Sequence, residues 1–398
     1  LKASLHEIVF LEEILENELS SRQEYDATPT ALIEAGKAWS LAVWNAAQEA
    51  DSIQFTELVI QKAISFLQRP VFICGSERSG TTLIRNLLDG HPQLLVLPCE
   101  GTFIHFEEPK MNKLPPEKRS SFLCQEWLWR LVTSMHVPPY WLLGRSTASF
   151  SAYVEFARAF IAWWDILKKE LEHKTCFWPF LVVQMSYATS QNKLSELDAL
   201  QWVEKTPYNE LYFQRLISEF PQAKMIQTIR NPVDVINSRK PFAHISSISL
   251  ETSVRLLQKS FKIAYHQTSI GNPNYLLLTY DSIVKETTAI MKKTALFLGI
   301  YYQDILLHPT VANKPAEANS SFKQLHTVGT IISDQNRNKT KLLTQKDQLL
   351  LSAYLFKLAR KFNYQLQPIG ILQEQQIKVG VFFRRLLHKI KRTVFTKH

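Results

Sequence analysis

The sequence predicts an α/β protein built on a mainly parallel sheet, and three observations predict it. Short apolar runs recur at Pro70 to Cys74, Lys224 to Ile229 and Tyr275 to Tyr280. Each precedes a stretch with helical spacing (Thr82 to Asp89, Val233 to Arg239, Ile283 to Leu298). Strands that alternate with helices build parallel sheets, because only a crossover can return the chain to the same edge. The third observation is the loop from Gly75 to Gly80, between the first strand and its helix. Such a loop aims backbone N–H groups and a helix N-terminus at one spot, a ready anion site. The expected architecture is therefore a P-loop-like three-layer fold: a central sheet flanked by helices, with a helical insertion.

Size and composition narrow the class. The chain has 398 residues, 45% apolar content and nine Trp, enough for a sizeable core and incompatible with wholesale disorder. The net charge of +10 suits anionic ligands or surfaces. Cys74, Cys99, Cys124 and Cys176 lie far apart, which excludes a disulfide scaffold and zinc-ligand spacing and fits a reducing compartment. No apolar run reaches the ~18 residues of a membrane-spanning helix. The chain begins at Leu1 rather than Met, so a targeting segment could precede it.

In chain order, residues 1–67 read as helices, with apolar positions at three- and four-residue spacing (Ile8, Leu11, Ile14, Leu15, then Leu41, Val43, Trp44). After the first βα unit, Leu94 to Leu97 reads as the next strand, with Glu100 at its end. Residues 101–200 have helical patterns and many aromatics (Trp127, Trp129, Trp141, Trp163, Trp164, Trp178). They form the expected insertion, which would supply substrate contacts, although most of these rings read as core. Lys205 is predicted at a strand end. Arg230-Asn-Pro232 turns the next strand into a helix, with Pro232 suited to its first turn and Pro241 stopping it. From Lys378 to His398 there are seven Lys/Arg and no acid, and Val379, Phe383, Leu386, Ile390 and Val394 share one helical face. A helix of this kind can lie on an anionic membrane or pack on the protein body.

Two anion sites follow from the strand ends. The first loop keeps the Gly-to-Gly spacing of nucleotide-binding loops, but Thr81 stands where G-x-x-x-x-G-K-[ST] requires Lys, and the loop's only cation is Arg78. The loop should cradle a phosphate-like group without reaching the β/γ-phosphates of a triphosphate. Arg230 ends a second strand, and Ser238 lies two helical turns on. A guanidinium and a hydroxyl can hold one phosphate together, so a nucleoside with phosphates at both ends suits the pair.

These residues carry a family resemblance. Gly75-Ser-Glu-Arg-Ser-Gly-Thr-Thr-Leu83 resembles the 5′-phosphosulfate loop of sulfotransferases, and Arg230-Asn-Pro-Val-Asp-Val-Ile-Asn-Ser238 resembles their 3′-phosphate motif. Glu204-Lys-Thr-Pro-Tyr208 resembles an E-K-x-P segment of the Golgi-type and bacterial branches. Asn319-Ser-Ser-Phe322 resembles a late cofactor-contacting loop, and Leu88-Asp-Gly-His-Pro92 a common helix end. The likeness spans about residues 70–365 and is greatest to the tyrosylprotein and carbohydrate branches.

The resemblance implies a sulfotransferase domain over 68–368, after an N-terminal helical extension (1–67) and before a basic tail (369–398). It implies 3′-phosphoadenosine-5′-phosphosulfate as donor, adenosine 3′,5′-bisphosphate as by-product, and no metal. Gly75, Ser76, Ser79, Gly80, Thr81 and Thr82 should wrap the 5′-phosphosulfate. Arg78 should neutralise charge on its bridging and sulfuryl oxygens, and Lys205 should reach the sulfonate or leaving oxygen. Arg230 and Ser238 should hold the 3′-phosphate, and Ser320, Ser321 and Lys323 should close over the cofactor. Glu100 is the expected general base. Its context, Pro98-Cys-Glu-Gly101, has one residue more before the Glu than the tyrosylprotein branch. His105 is the rival base, and His91 reads as a turn residue.

Two other function classes stay open: an atypical P-loop kinase or NTPase, and a non-catalytic nucleotide or anion binder. Nucleic-acid binding is not expected, since no RNA- or DNA-reading motif appears. The acceptor could be a sugar, lipid, phenol or peptide tyrosine. The expected compartment is cytoplasmic, with peripheral membrane contact through 378–398, or the Golgi lumen if an N-terminal anchor has been lost.

Overall fold

The structure is a computed structural model, and it describes residues 30–133, 150–240, 248–316, 329–331 and 343–395. Helices α1 (Thr30–Glu49) and α2 (Glu57–Leu67) precede β1 (Pro70–Gly75), α3 (Thr81–Leu88) and β2 (Leu94–Glu100). A π-helical turn (Phe103–Glu107) leads into α4 (Glu108–Met111), α5 (Pro116–Thr133), α6 (Phe150–Leu171) and α7 (Trp178–Ser190). Then come β3 (Gln201–Lys205), α8 (Phe213–Glu219), β4 (Lys224–Ile229), α9 (Pro232–Arg239), α10 (Leu250–Ser269) and β5 (Tyr275–Thr279). The remainder is α11 (Tyr280–Lys285), α12 (Thr287–Leu298), a hairpin of β6 (Thr310–Val311) and β7 (Lys314–Pro315), α13 (Gln345–Arg360) and α14 (Ile371–Phe395).

The five long strands form one sheet in the order β2-β3-β1-β4-β5, every pair parallel. All five carboxyl ends therefore share one edge. The chain leaves β1 toward β2 and β3, then crosses to β4 on the other side. That reversal opens a crevice above β1 and β4, where open α/β sheets take their ligands.

Strand alternation sorts the side chains into two faces. Phe72, Cys74, Leu95, Leu97, Trp202 and Met225 enter one core with α1, α2 and α5–α7. Val71, Ile73, Val96, Val203, Ile226 and Leu278 enter the other, against α3 and α12. A third cluster joins Ile229 to α9, α10, α13 and α14. Trp127, Trp163, Trp164 and Trp178 all belong to the first core, so these aromatics of the 101–200 stretch are packing residues. Among the described residues that stretch contains no strand.

The expected single helix Ile283 to Leu298 is two. Thr279 caps α11 by accepting from Ser282 N–H, so the helix starts at Tyr280, and Glu286 (φ −129°, ψ 40°) breaks it. The β-branched pair after Glu286 opens α12, where Thr287 Oγ1 donates to the Ile283 carbonyl (2.7 Å). The expected last strand consequently ends at Thr279 rather than Tyr280. The helical positions Ile8 to Leu15, Trp141, Pro241 and the expected loop Asn319–Lys323, including Ser320 and Ser321, lie outside the described residues.

Candidate functional site

The first loop is shaped by contacts beneath it. Gly75 has φ +129°, and a Cβ there would lie 2.3 Å from the Thr228 carbonyl, so no side chain fits. Its N–H donates to Glu210 Oε2 (2.8 Å). Gly75 therefore acts by conformation, with its donor turned into the protein. Ser79 Oγ donates to the Ser76 carbonyl (2.6 Å) and lies 2.8 Å from Thr228 Oγ1, tying the loop to β4. Gly80 (φ +101°) caps α3, and a Cβ there would meet the Tyr280 ring at 2.7 Å. Thr81 and Thr82 open α3, whose first N–H groups have no partner within the helix. Burial raises the Glu210 carboxyl above its usual range, against hydrogen bonds that include Gly75 N–H.

Arg78 adopts a left-handed conformation (φ 66°) and donates from Nε to Ser238 Oγ (3.1 Å). Arg230, at the end of β4, is buried and donates from Nη1 to the Arg78 carbonyl (3.4 Å). Its guanidinium lies over the Tyr280 ring, 4.2 Å from the centroid. The two sequence motifs thus meet in one cluster, and Tyr280 supports both Gly80 and Arg230. Asn231 caps α9 by accepting from Val233 N–H, with Pro232 in the first turn, which fixes where Ser238 falls.

On the other side of β1, Glu100 and Lys205 sit opposite each other at the ends of β2 and β3. Their register shifts between Val96 and Glu100, around Pro98, which has no N–H to give a ladder. Four steps along β2 there match two along β3, and Glu100 again pairs with Lys205. The two form an ion pair in which Lys205 is 3% exposed and Glu100 45%. Burial pushes the Glu100 carboxyl up, but Lys205, Arg85 and Arg130 overcome it and hold the group below the usual glutamate range. Burial lowers the Lys205 ammonium, opposed by Glu100.

A buried frame surrounds this pair. Glu204 accepts from Gly101 N–H (3.1 Å), from Asn209 Nδ2 (2.9 Å) and from Thr206 Oγ1. Burial, only partly offset by the Thr206 hydrogen bond and Lys205, pushes its carboxyl up to about 7. Tyr208 N–H donates to the Gly75 carbonyl (2.9 Å), so the Glu204–Tyr208 segment also braces the first loop. Arg85, on α3, donates to the Pro98 carbonyl (2.7 Å). Arg130, on α5, donates to the carbonyls of Glu100 and Gly101 (both 3.1 Å) and pairs with buried Glu107.

His105 Nε2 lies 3.2 Å from Asn209 Oδ1, and its ring meets Tyr212 edge-on. Burial lowers its pKa, opposed by the Asn209 contact, so burial favours the neutral imidazole. His91 is a turn residue: Gln93 N–H donates to Nδ1 (3.2 Å), leaving Nε2–H to donate to the Tyr301 carbonyl (2.8 Å). Asp89 accepts from Thr310 Oγ1 (2.7 Å) and Asn313 N–H (2.9 Å), fixing the β6–β7 hairpin. Among the described residues no group of three or more His, Cys, Asp or Glu could hold a metal ion.

Sequence reasoning missed Tyr280, Arg85, Arg130 and the buried acids Glu204, Glu107 and Glu210 as parts of the site. Glu204 carried a signal, since it adjoins Lys205 in a recognisable segment. Nothing local distinguishes the others from ordinary helix or turn residues.

Known proteins similar to this chain include sulfotransferases. A sulfotransferase domain from the curacin biosynthetic pathway is similar at 16% identity, with a TM-score of 0.41, covering 75% of this chain and 98% of that one. A sulfotransferase from Mycobacterium avium is similar at 15% identity, TM-score 0.37, with coverage of 91% and 98%. A retinol dehydratase in complex with retinol and PAP is similar at 16% identity, TM-score 0.24, with coverage of 63% and 67%. No curated protein matches the chain. The profile described as "Sulfotransferase family" matches residues 70–304, more than half of the sequence, and the chain belongs to that family.

Proposed function

We propose that the protein transfers a sulfuryl group from 3′-phosphoadenosine-5′-phosphosulfate to an acceptor hydroxyl. The observation that carries the reading is the order of groups along the carboxyl edge of the sheet. Glu100 and Lys205 end the edge strand β2 and its neighbour β3, the Gly75–Thr82 loop follows central β1, and Arg230 with Ser238 follows β4. Neighbouring strands are ~4.8 Å apart, so this row spans a donor with anionic groups at both ends. Thr81 in the lysine position suits a donor without a γ-phosphate.

Arg230 and Ser238 would hold the 3′-phosphate, and the loop with Arg78 would hold the 5′-phosphosulfate. Lys205 would stabilise charge growing on the leaving oxygen. Glu100, ionised and partly exposed, would take the acceptor's proton as the sulfur–acceptor oxygen bond forms and the sulfur–bridging oxygen bond breaks. Ser320 and Ser321 would close over the donor. The 101–200 stretch would line the acceptor side, through Arg130 and His105. The acceptor is a small molecule, sugar, lipid headgroup or tyrosine bearing a hydroxyl. We place the enzyme on the cytosolic side, which its four free cysteines suit. No helix of the described residues is long and apolar enough to cross a membrane.

The deciding test is calorimetric titration with adenosine 3′,5′-bisphosphate and, separately, with ATP plus magnesium. Selective binding of the bisphosphate supports the donor site and justifies an acceptor screen with labelled sulfate. Preference for ATP overturns the reading in favour of a kinase-like enzyme.

A further inference from the structure

We infer that α14 is an interfacial helix that seats the protein on an anionic lipid surface. The helix has two apolar faces. Ile377 and Val381 turn inward onto the cluster formed by α10 and α13, and Val381 is 2% exposed. Arg384 Nε donates to Glu251 Oε1 (2.7 Å), and Lys378 lies over the Tyr354 ring, so this part of the helix is docked. The opposite face is uncovered: Leu372, Val379 and Phe383 are 77%, 52% and 55% exposed, with Phe382 beside them at 62%.

At 100° per residue, positions 372, 379 and 383 fall within a narrow stripe. Docking on the body therefore does not account for this stripe. It is an exposed apolar stripe of about 16 Å, and the sequence from Lys378 onward is strongly basic.

Charge selects the occupant. The segment 378–398 holds seven Lys/Arg and no acid. A second copy would bring like charges together, whereas an anionic membrane meets both the apolar stripe and the bordering cations. Nucleic acid would meet the charge but leave the apolar stripe in water.

The test is co-sedimentation of the full chain with vesicles of phosphatidylcholine alone and of phosphatidylcholine with phosphatidylserine. Partitioning should be about tenfold or more stronger on the serine-containing vesicles and should fall as salt is raised. The pair Val379→Glu and Phe383→Glu should lower it at least about fivefold, with unchanged circular dichroism and bisphosphate affinity. Lys389→Gln with Lys391→Gln should reduce chiefly the salt-sensitive part. Equal binding to both vesicles, indifference to the apolar substitutions, or a dimer in solution that those substitutions dissociate would each overturn the inference.

Discussion

Arg78 Nε donates to Ser238 Oγ across 3.1 Å, joining the loop after β1 to the helix after β4. The residues are 160 positions apart in sequence. Because the contact couples the two proposed anion sites, a ligand at either should be felt by the other.

Ser238→Ala removes this acceptor and a proposed ligand of the 3′-phosphate. Affinity for adenosine 3′,5′-bisphosphate should fall by about 1–2 kcal/mol, and Arg230→Ala should lower it by ~1.5–3 kcal/mol. Adenosine 5′-monophosphate should be little affected by Arg230→Ala. Titration calorimetry measures all of these, and equal losses for the two nucleotides would refute the 3′-phosphate assignment.

Glu100→Gln should leave bisphosphate affinity intact and slow turnover by about 10²–10⁴-fold. Lys205 and the two arginines hold the Glu100 carboxyl below its usual range. A group of this kind acts as base above its pKa and loses that capacity as pH falls through it. The acidic limb of kcat/KM should therefore lie below pH ~4.3, the ordinary glutamate value, and vanish in the variant. Near-normal turnover of Glu100→Gln would shift the base to His105.

Glu204 makes stability depend on pH in the opposite sense from a salt-bridged acid. Its folded pKa of about 7 exceeds the unfolded value, so the folded state binds the extra proton. The contribution is full below the unfolded pKa and is lost as pH rises through the folded one. Urea unfolding should show up to roughly 3 kcal/mol of stability lost between about pH 4.5 and 7 from this group. Glu204→Gln should flatten that slope. An unchanged slope would mean that Glu204 is ionised throughout.

Arg130→Ala should destabilise by about 3–5 kcal/mol, because it strands the buried Glu107 carboxylate. Adding Glu107→Gln should recover much of the loss. Chemical denaturation of the single and double variants checks this, and strict additivity would show that the pair is not coupled.

The positions of four of the five long strands, and Lys205 at the end of the fifth, could be read locally. Gly75, Arg78, Glu100, Lys205 and Arg230 stand where an apolar run meets a turn, and the structure puts them there. Other features could not be read this way. Glu286 breaks a helix that spacing alone makes continuous, because a Thr279 cap and a β-branched pair compete with the apolar pattern. Most rings of the 101–200 stretch read as core, and Trp127, Trp163, Trp164 and Trp178 enter it, but which segments they pack against no local pattern gives, since burial belongs to the neighbours and not to the residue.

By itself the sequence determined the parallel α/β fold, the loops that follow β1 and β4, and the family membership these motifs announce, since strand alternation, glycine conformation and helix capping act over a few residues. Only the tertiary structure decided that Arg78 reaches Ser238, that Tyr280 lies against both Gly80 and Arg230, and that Glu100 meets Lys205 despite an irregular strand. The same holds for the exposed stripe of α14. Each depends on strand order and on which surfaces exclude water. Those are set by contacts between segments tens to hundreds of residues apart, which no local pattern encodes.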